Sequence, residues 1–396
     1  MRRALLATLA FGATLIGAPA YAQDKVKIGL ITTLSGPQAG TGREMVDGFN
    51  LALKHAGGKL GGAEVELIVG DDQFKPDVGK SVAERMVQRD RVDIVTGVVF
   101  SNILLALSDT VLKDRRGVFL INSNAGPSQY AGKDCNPNFF VVSWQNDAVH
   151  EAMGQHMTNA GVKKAYLLAP NYPAGKDALT GVKRYYKGEV AAEVYTQLGQ
   201  TDYAAEIATL RAAQPSATYM FYPGGMGIAF IRQYAQAGLM QTIPLFGPSF
   251  SLDQTILPAI GDAAVGVYAS TFWSEKLQNP ANDKFVRDFE ATYNRIPSPY
   301  AAQSYDSAML MDSALKASGG KLATKAEKDK FRDGLRAANF NSVRGPFKFN
   351  KNHFPIQNYY LTQIVKDEKG RLVMDLRGVI FASHADVYAQ DCKMKW

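Results

Sequence analysis

The sequence predicts an α/β protein built from two parallel-sheet units of similar size. Strand-like and helix-like segments alternate along most of the chain, the alternation restarts near residue 165, and helices without strands follow Trp273. Alternating strands and helices favour a parallel sheet with helices on both faces. The length of 396 residues and the hydrophobic content of 46% fit two or three domains and exclude a disordered chain.

The first unit is predicted to contain four strands and three helices. Residues 26–31, 92–99 and 118–121 are apolar runs, and Val65, Leu67 and Val69 alternate as in a strand. Apolar residues between these strands recur at helical spacing: Met45, Phe49, Leu53 and Ala56, then Val78, Val82 and Met86, then Ile103, Ala106, Leu107 and Val111.

The second unit repeats this pattern. Strands are predicted at 165–169, 189–195, 218–222, 243–246 and 265–269, and helices at 176–186, 203–213 and 228–237. Three further helices at 283–293, 301–317 and 325–338 have no strands between them, so we expect them to cover a sheet formed earlier in the chain. The chain must then return to its first unit and cross between the two units several times.

The first 22 residues have the layout of a cleavable secretory signal. Arg2 and Arg3 precede an apolar stretch from 4 to 18, which is shorter than the roughly 20 residues that span a bilayer, and small residues follow at 20–22. We therefore expect a soluble, periplasmic mature protein that is not inserted in the membrane. Its two cysteines, Cys135 and Cys392, could pair in that compartment and tie the C-terminal tail to the body, the alternative being two free, buried cysteines.

Charge and cysteine content exclude several classes of function. The net charge of +7 is mild, and basic residues are interleaved with acidic ones, so no segment resembles a nucleic-acid-binding arm. Two cysteines and five histidines leave little material for a zinc site made only of protein ligands.

Motifs of catalysis and cofactor binding are missing. The pattern Gly40-Thr41-Gly42 lacks the third glycine of a dinucleotide fingerprint, because Met45 stands there, and no phosphate-binding loop, zinc-protease or serine-hydrolase motif occurs. His150 and His156 lie on different helix faces and are better explained as helix-surface or core histidines than as ligands. The adjacent acids at 71 and 72 are explained by helix capping or an ordered turn. We expect no enzyme activity, no cofactor and no metal.

The loops that follow predicted strands have the chemistry of a binding site. In an open α/β sheet, ligands bind outside the carboxyl ends of the strands. Loops at 34–37, 100–102, 122–126, 223–225 and 248–250 occupy such positions. Because the first N–H groups of a helix favour an anion, Ser101 and Asn102 could hold a carboxylate without any Arg or Lys.

Several motifs in order resemble the periplasmic solute-binding proteins of ABC importers, in the leucine/isoleucine/valine-binding class. They are found at 34–37, 70–72, 201–210, 246–248 and 344–347. The resemblance implies a type I periplasmic-binding fold, with two Rossmann-like lobes joined by three crossovers near 143–145, 271–273 and 349–351. Residues 24–143 with 273–349 would form the first lobe, and 145–271 with 351–396 the second. It also implies delivery of a ligand to a permease and an ATPase on other chains, and we expect a monomer.

The resemblance also indicates which residues hold the ligand. A carboxylate would meet Ser101 after the third strand and Asn124 and Gly126 in the loop after the fourth, although Gly126 lacks the family's hydroxyl. The acidic residue that holds an α-ammonium in amino-acid binders is replaced by Ser249, which argues against an ordinary amino acid. Asp306 is a possible substitute.

Aromatic residues dominate the expected walls of the cleft. They are Phe100, Tyr172, Tyr222, Phe250 and Trp273. Hydrogen-bond donors that favour an anion, together with aromatic side chains, suggest an aromatic carboxylic acid as the ligand. Arg43 could add a charge-assisted hydrogen bond. The alternatives are a branched-chain or other amino acid as the ligand, a sensor that presents its ligand to a receptor kinase, and an exported enzyme on a similar scaffold.

Overall fold

The computed structural model describes residues 25–395, so the predicted signal segment at 1–22 lies outside the described residues. The first sheet and its helices come from the N-terminal part of the chain. In chain order they are β1 (Val26–Thr32), α1 (Ala39–His55), β2 (Lys59–Leu60), β3 (Ala63–Asp71), α2 (Pro76–Gln88), β4 (Ile94–Thr96), α3 (Ser101–Leu112), β5 (Phe119–Asn122), α4 (Ser128–Ala131) and β6 (Phe139–Val141).

The middle of the chain forms the second alternating series. It consists of α5 (Ala148–Asn159), β7 (Lys164–Pro170), α6 (Pro173–Tyr185), β8 (Glu189–Thr196), α7 (Ala204–Ala213), β9 (Ala217–Met220), α8 (Gly225–Gln236), β10 (Leu245–Pro248), α9 (Leu257–Ile260) and β11 (Tyr268–Thr271). The remainder contains α10 (Pro280–Tyr293), α11 (Pro299–Ala317), α12 (Lys325–Ala337), β12 (Lys348–Phe349), β13 (Pro355–Lys366) and β14 (Leu372–His384).

Two sheets confirm the predicted fold class. The first has the order β2-β3-β1-β4-β5-β6 and is parallel except for β2, and the second has the order β12-β13-β11-β10-β9-β7-β8 with β14 paired to β13. In the second sheet β7 to β11 are parallel, while β12, β13 and β14 run antiparallel to their neighbours. Strand order reverses at β1 in one sheet and at β7 in the other, which places a crevice beside the carboxyl ends of both.

The two sheets define two lobes. Helices α10 to α12 return to the first sheet, because α11 packs along α1 and β2 and also holds α12. We call the first sheet with α1–α4 and α10–α12 the first lobe, and the second sheet with α5–α9 the second lobe. The chain passes between the lobes after β6, after β11 and before β12.

The C-terminal tail is tied to the first lobe, although β13 and β14, which precede it, belong to the second sheet. A disulfide joins Cys392 to Cys135, which lies between α4 and β6 in the first lobe. The turn before β13 also contacts the first lobe, because Asn352 donates to the carbonyl of Ala131 and Val141 donates to the carbonyl of His353. The end of the chain therefore leaves the second lobe and is fixed to the first.

None of the helices among residues 25–395 is both long and apolar enough to cross a membrane. No group of three or more potential metal ligands occurs among these residues either.

Candidate functional site

A cleft between the lobes lies at the carboxyl ends of the parallel strands. Its first-lobe wall comes from the segments after β4 and β5 and from the start of α11, and its second-lobe wall comes from the segments after β7, β9 and β10. The lining residues are Val99, Phe100, Ser101, Asn124, Ala125, Trp144, Asn146, His150, Tyr172, Ala174, Phe221, Pro223, Phe250 and Tyr300.

The start of α3 provides hydrogen-bond donors at this cleft. Ser101 is the first helical residue, and the preceding Phe100 is extended and gives no side-chain cap. The N–H groups of Ser101 and Asn102 donate to no acceptor within residues 25–395, because the first main-chain bonds of the helix come from Ile103 and Leu104. Free N–H groups at a helix start favour an anion.

Asn146, in the first crossover, fixes the direction of the Ser101 hydroxyl. The Gly126 N–H donates to Asn146 Oδ1 at 2.9 Å, so the amide nitrogen must face the other way. Asn146 Nδ2 donates to Ser101 Oγ at 3.0 Å and to Asp177 Oδ2 at 2.9 Å. Ser101 Oγ is thus an acceptor within the protein, and its own proton has no acceptor in the described chain. This proton is available to a ligand in the cleft.

The loop after β5 offers a ligand fewer free polar groups than the sequence predicts. Asn124 lines the cleft, but Val99 O accepts from its Nδ2 at 2.7 Å and Gln303 Nε2 donates to its Oδ1 at 2.5 Å. Gly126 does not line the cleft, since its N–H is bonded to Asn146. Its lack of a side chain is required, because a Cβ would lie 2.1 Å from the carbonyl oxygen of Trp144.

Aromatic rings form most of the remaining wall. The expected Phe100, Tyr172 and Phe250 are present, and Trp144, Phe221 and Tyr300 add to them. Trp144 stacks on Phe250 with 4.0 Å between ring centroids, and Tyr172 lies 6.4 Å from Phe100 and 6.3 Å from Phe221. The hydroxyls of Tyr172 and Tyr300 make no hydrogen bond within the described residues. The cleft is therefore apolar with a few polar groups that converge on it.

Two expected rings belong to the core instead. Tyr222 packs on Tyr203 and Phe230, with ring centroids 4.9 and 5.1 Å apart, because successive side chains of extended backbone alternate and Phe221 takes the cleft side. Trp273 is fully buried and donates from its indole to Asn282 Oδ1 at 2.7 Å.

Three expected polar residues also lie outside the lining. Arg43 is exposed on α1, Asn102 is half-buried and is not among the lining residues, and Ser249 is buried in the turn after β10. The Ser249 hydroxyl has no partner in the described chain. The structure therefore brings together Ser101, Asn124 and three of the expected rings.

His150 is a lining residue that sequence reasoning placed on a helix surface or in a core. It is 2% exposed, and its Nδ1 is hydrogen-bonded to the hydroxyl of Tyr219. Burial lowers the pKa of His150 to about 3, so the ring is neutral at physiological pH. Its place one turn beyond the first crossover is the signal that could have identified it.

No lysine, arginine, aspartate or glutamate is among the lining residues. Asp306 is directed away, because its carboxylate accepts from Ser342 Oγ, from the Val343 N–H and from Arg344 Nε. Two buried carboxylates lie behind the lining, Asp177 against Asn146 and Asp253 near Tyr300. The lining itself offers nothing to balance the charge of an ammonium group.

The adjacent acids at the end of β3 stabilise a turn, as expected. Asp71 Oδ1 accepts from the N–H groups of Leu34 and Gln73. Asp72 Oδ1 accepts from Thr33 Oγ1 at 2.6 Å, and burial raises the pKa of Asp72 to about 6. Neither residue lines the cleft.

Comparison with known proteins identifies similar chains. Residues 25–370 match the profile of the family described as Periplasmic binding protein. The Leu/Ile/Val-binding protein homolog 6 of Brucella melitensis is 26% identical, over 90% of this chain and 92% of that protein.

Two solved structures are similar over almost the whole chain. One is an ABC transporter solute-binding protein from R. palustris in complex with benzoate, with a TM-score of 0.87 and 32% identity, covering 94% of this chain and all of that one. The other is a solute-binding protein from Rhodopseudomonas palustris BisB5 in complex with 3,4-dihydroxybenzoic acid, with a TM-score of 0.83 and 28% identity, covering 92% and 99% of the two chains.

Proposed function

This chain belongs to the periplasmic binding protein family, the solute-binding proteins of ABC transporters, and we propose that its ligand is an aromatic carboxylic acid. The observation that carries the proposal is the composition of the cleft. Hydrogen-bond donors suited to an anion, at the start of α3, share the cleft with six aromatic rings, and no charged side chain lines it. A ligand that matches this cleft has one carboxylate and a flat apolar body.

The carboxylate would bind at Ser101. The hydroxyl proton of Ser101 and the N–H groups of Ser101 and Asn102 have no acceptor in the described part of the chain, and the dipole of α3 adds to the attraction. The ring of the ligand would lie among Phe100, Tyr172 and Phe221, since aromatic pairs gain stability beyond the apolar area that they bury. The hydroxyls of Tyr172 and Tyr300 could donate to further polar groups of the ligand.

Capture would proceed by lobe closure without covalent chemistry. Ser101, Phe100 and Tyr300 belong to the first lobe, and Tyr172 and Phe221 to the second, so only closed lobes present all of these groups at once. The closed complex would deliver the ligand to a permease and an ATPase on other chains. Export through the signal segment at 1–22 would place this step in the periplasm.

A branched-chain amino acid is the second candidate, because relatives are named Leu/Ile/Val-binding proteins. Its α-ammonium would need a carboxylate partner, and Ser249 stands where the amino-acid binders have an acid. Asp177 and Asp253 lie one layer behind the lining, and an unpaired cation in a closed cleft would cost several kcal/mol. The cleft therefore favours the aromatic acid.

A thermal-shift panel on the mature chain tests the proposal. It compares benzoate, 4-hydroxybenzoate, cinnamate, octanoate and leucine, with benzamide as a matched control that keeps the ring and removes the charge. A ligand at 100 times its Kd adds about 2.7 kcal/mol to the free energy of unfolding. We expect the aromatic acids to raise the Tm and benzamide to leave it unchanged. A shift with leucine and none with the aromatic acids would overturn the proposal.

Two further measurements separate the remaining alternatives. Mass spectrometry of the ligand after long incubation should recover it unchanged, whereas a new product would indicate an enzyme. If neighbouring genes encode a permease and an ATPase, reconstitution with those proteins should give ligand uptake. Neighbouring genes that encode a receptor kinase instead would support the sensor.

A further inference from the structure

A hydrogen-bonded contact between the lobes lies directly behind the ligand cleft. Asp177, on α6 of the second lobe, accepts from Ser128 Oγ at 2.9 Å and from the Ser128 N–H at 3.4 Å. Ser128 begins α4 in the first lobe, and Asp177 is 9% exposed. A carboxylate that accepts two bonds from one serine is a charge-assisted contact, which is stronger than a neutral pair.

This contact is continuous with the group that binds the ligand. Asp177 Oδ2 also accepts from Asn146 Nδ2, and the same nitrogen donates to Ser101 Oγ. The chain of bonds therefore runs from Ser128 through Asp177 and Asn146 to Ser101. It joins both lobes and the first crossover to the hydroxyl that faces the cleft.

Asp177 lies on the same helix, α6, as residues that line the cleft, so it moves with them when the lobes close. Helix α6 begins at Pro173, and its first turn presents Ala174 to the cleft, with Tyr172 just before it. Asp177 follows one turn later on the same helix. The movement that brings Tyr172 to the ligand thus brings Asp177 to Ser128, and opening the lobes separates both pairs.

We propose that Ser128 and Asp177 form an interlobe latch, and that Asn146 couples this latch to Ser101. The inference rests on the proposed function, because it concerns how that same cleft holds its ligand. All three are positioning residues. When the latch forms, Asp177 fixes the amide of Asn146, and this amide leaves the proton of Ser101 to the ligand. Closure and ligand binding then reinforce each other.

A double-mutant cycle of Ser128→Ala and Asp177→Ala tests the latch with benzoate as the probe. Calorimetry gives the Kd, and stopped-flow fluorescence gives the dissociation rate. We expect each single variant to raise the Kd roughly tenfold, mainly through faster dissociation, since each loses a hydrogen bond to a charged group. The double variant should bind no more weakly than Asp177→Ala alone.

Ser81→Ala is the matched control, because Ser81 is an exposed first-lobe serine whose hydroxyl bonds only to Asp77 O on its own helix. It should leave the Kd and the dissociation rate unchanged. Ser128→Ala also keeps the test valid if Asp177→Ala folds poorly, because Ser128 is only partly buried. Additive effects of the two substitutions, or an unchanged dissociation rate in Ser128→Ala, would overturn the latch.

Small-angle X-ray scattering separates failure of the latch from failure of the proposed ligand. If benzoate does not bind the wild-type chain, the aromatic-acid proposal fails. The latch is then decided in the ligand-free state, where Ser128→Ala should have a larger radius of gyration than the wild type. Equal radii in that state would contradict the latch, while Ser81→Ala should match the wild type in either case.

Discussion

Ser101 accepts a hydrogen bond from Asn146, and its own hydroxyl proton has no acceptor within residues 25–395. The Gly126 N–H donates to the oxygen of the Asn146 amide and Asp177 accepts from its nitrogen, so these two bonds together fix the amide that donates to Ser101. A hydroxyl with a free proton at the start of a helix is suited to an anion. The ligand class that we propose depends on this residue more than on any ring.

Ser101→Ala should weaken the binding of benzoate. The substitution removes one hydrogen bond to a charged group, so we expect a loss of roughly 1–2 kcal/mol, measured by calorimetry. The effect on benzamide, if it binds at all, should be smaller because it lacks the charge. A Kd for benzoate equal to that of the wild type would remove Ser101 from the site.

Asp253→Asn should change the dependence of stability on pH. Burial raises the pKa of Asp253 to about 7, and the neighbouring carboxylate of Glu44 adds to the rise. The folded chain then holds a proton that the unfolded chain releases near pH 4, so the free energy of unfolding falls as the pH rises from about 4 to about 7. The variant lacks this titration.

Urea unfolding at pH 5 and pH 8 measures the effect of Asp253→Asn. At pH 5 the wild-type carboxyl is protonated, so the two proteins should be similar. At pH 8 the variant should be more stable than the wild type by roughly 3 kcal/mol, because about two pH units separate pH 5 from the raised pKa and each contributes ~1.4 kcal/mol. A stability difference that is the same at both pH values would contradict this account.

Sequence reasoning found the site residues that directly follow strands and missed those that reach the cleft from elsewhere. Ser101, Phe100 and Tyr172 follow buried strands, so the open-sheet rule located them. Tyr300 begins α11, and its proximity depends on how α11 returns to the first lobe. Tyr222 was predicted one residue away from the true lining residue, Phe221, because the alternation of the segment after β9 is not visible in its uniformly apolar sequence.

The loop after β5 packs directly against the first crossover. A Cβ on Gly126 would lie 2.1 Å from the Trp144 carbonyl oxygen and 3.2 Å from the ring of Phe354. A methyl group at 2.1 Å from a carbonyl oxygen would force the backbone of one of the two elements to move. The glycine is therefore required by close approach of backbone.

Gly126→Ala should separate this loop from the crossover. Because Asn146 depends on the N–H of Gly126, we expect weaker benzoate binding together with a loss of roughly 1–3 kcal/mol in the free energy of unfolding. Gly40→Ala is the matched control, since a Cβ there meets Thr255 only at an ordinary 3.7 Å. If Gly126→Ala binds benzoate as Gly40→Ala does, the two elements are not coupled in this way.

The helices and parallel strands were largely predictable, and the antiparallel hairpin of β13 and β14 was not. Buried positions of β13 include Gln357 and Thr362, so its apolar alternation is broken. These polar side chains are satisfied by distant partners, Gln357 by the carbonyl of Ser143 and Thr362 by the carbonyl of Ala269. The turn from Asp367 to Gly370 was the remaining local signal for the hairpin.

Three crossings of the chain and one disulfide connect the two lobes of the whole molecule. The disulfide closes a sequence separation of 257 residues, because Cys135 precedes β6 and Cys392 follows β14. The sequence allowed this pairing but also allowed two free thiols, since only the return of the tail to the first lobe brings the cysteines together. A cross-link over such a separation restricts the unfolded chain strongly.

The double variant Cys135→Ser with Cys392→Ser should be less stable than the wild type. We expect the free energy of unfolding to fall by roughly 2–5 kcal/mol, measured by urea denaturation. Wild-type protein treated with a reducing agent should behave like the variant. An unchanged free energy of unfolding, or two reactive thiols in the untreated wild type, would show that this bond does not stabilise the molecule.

A crystal structure of the mature chain grown with benzoate tests the central claim most directly. We expect the carboxylate within hydrogen-bond distance of Ser101 Oγ, the ring among Phe100, Tyr172 and Phe221, and the lobes closed over both. Benzoate bound outside the interlobe cleft, or a cleft that stays empty at saturating benzoate, would contradict the claim.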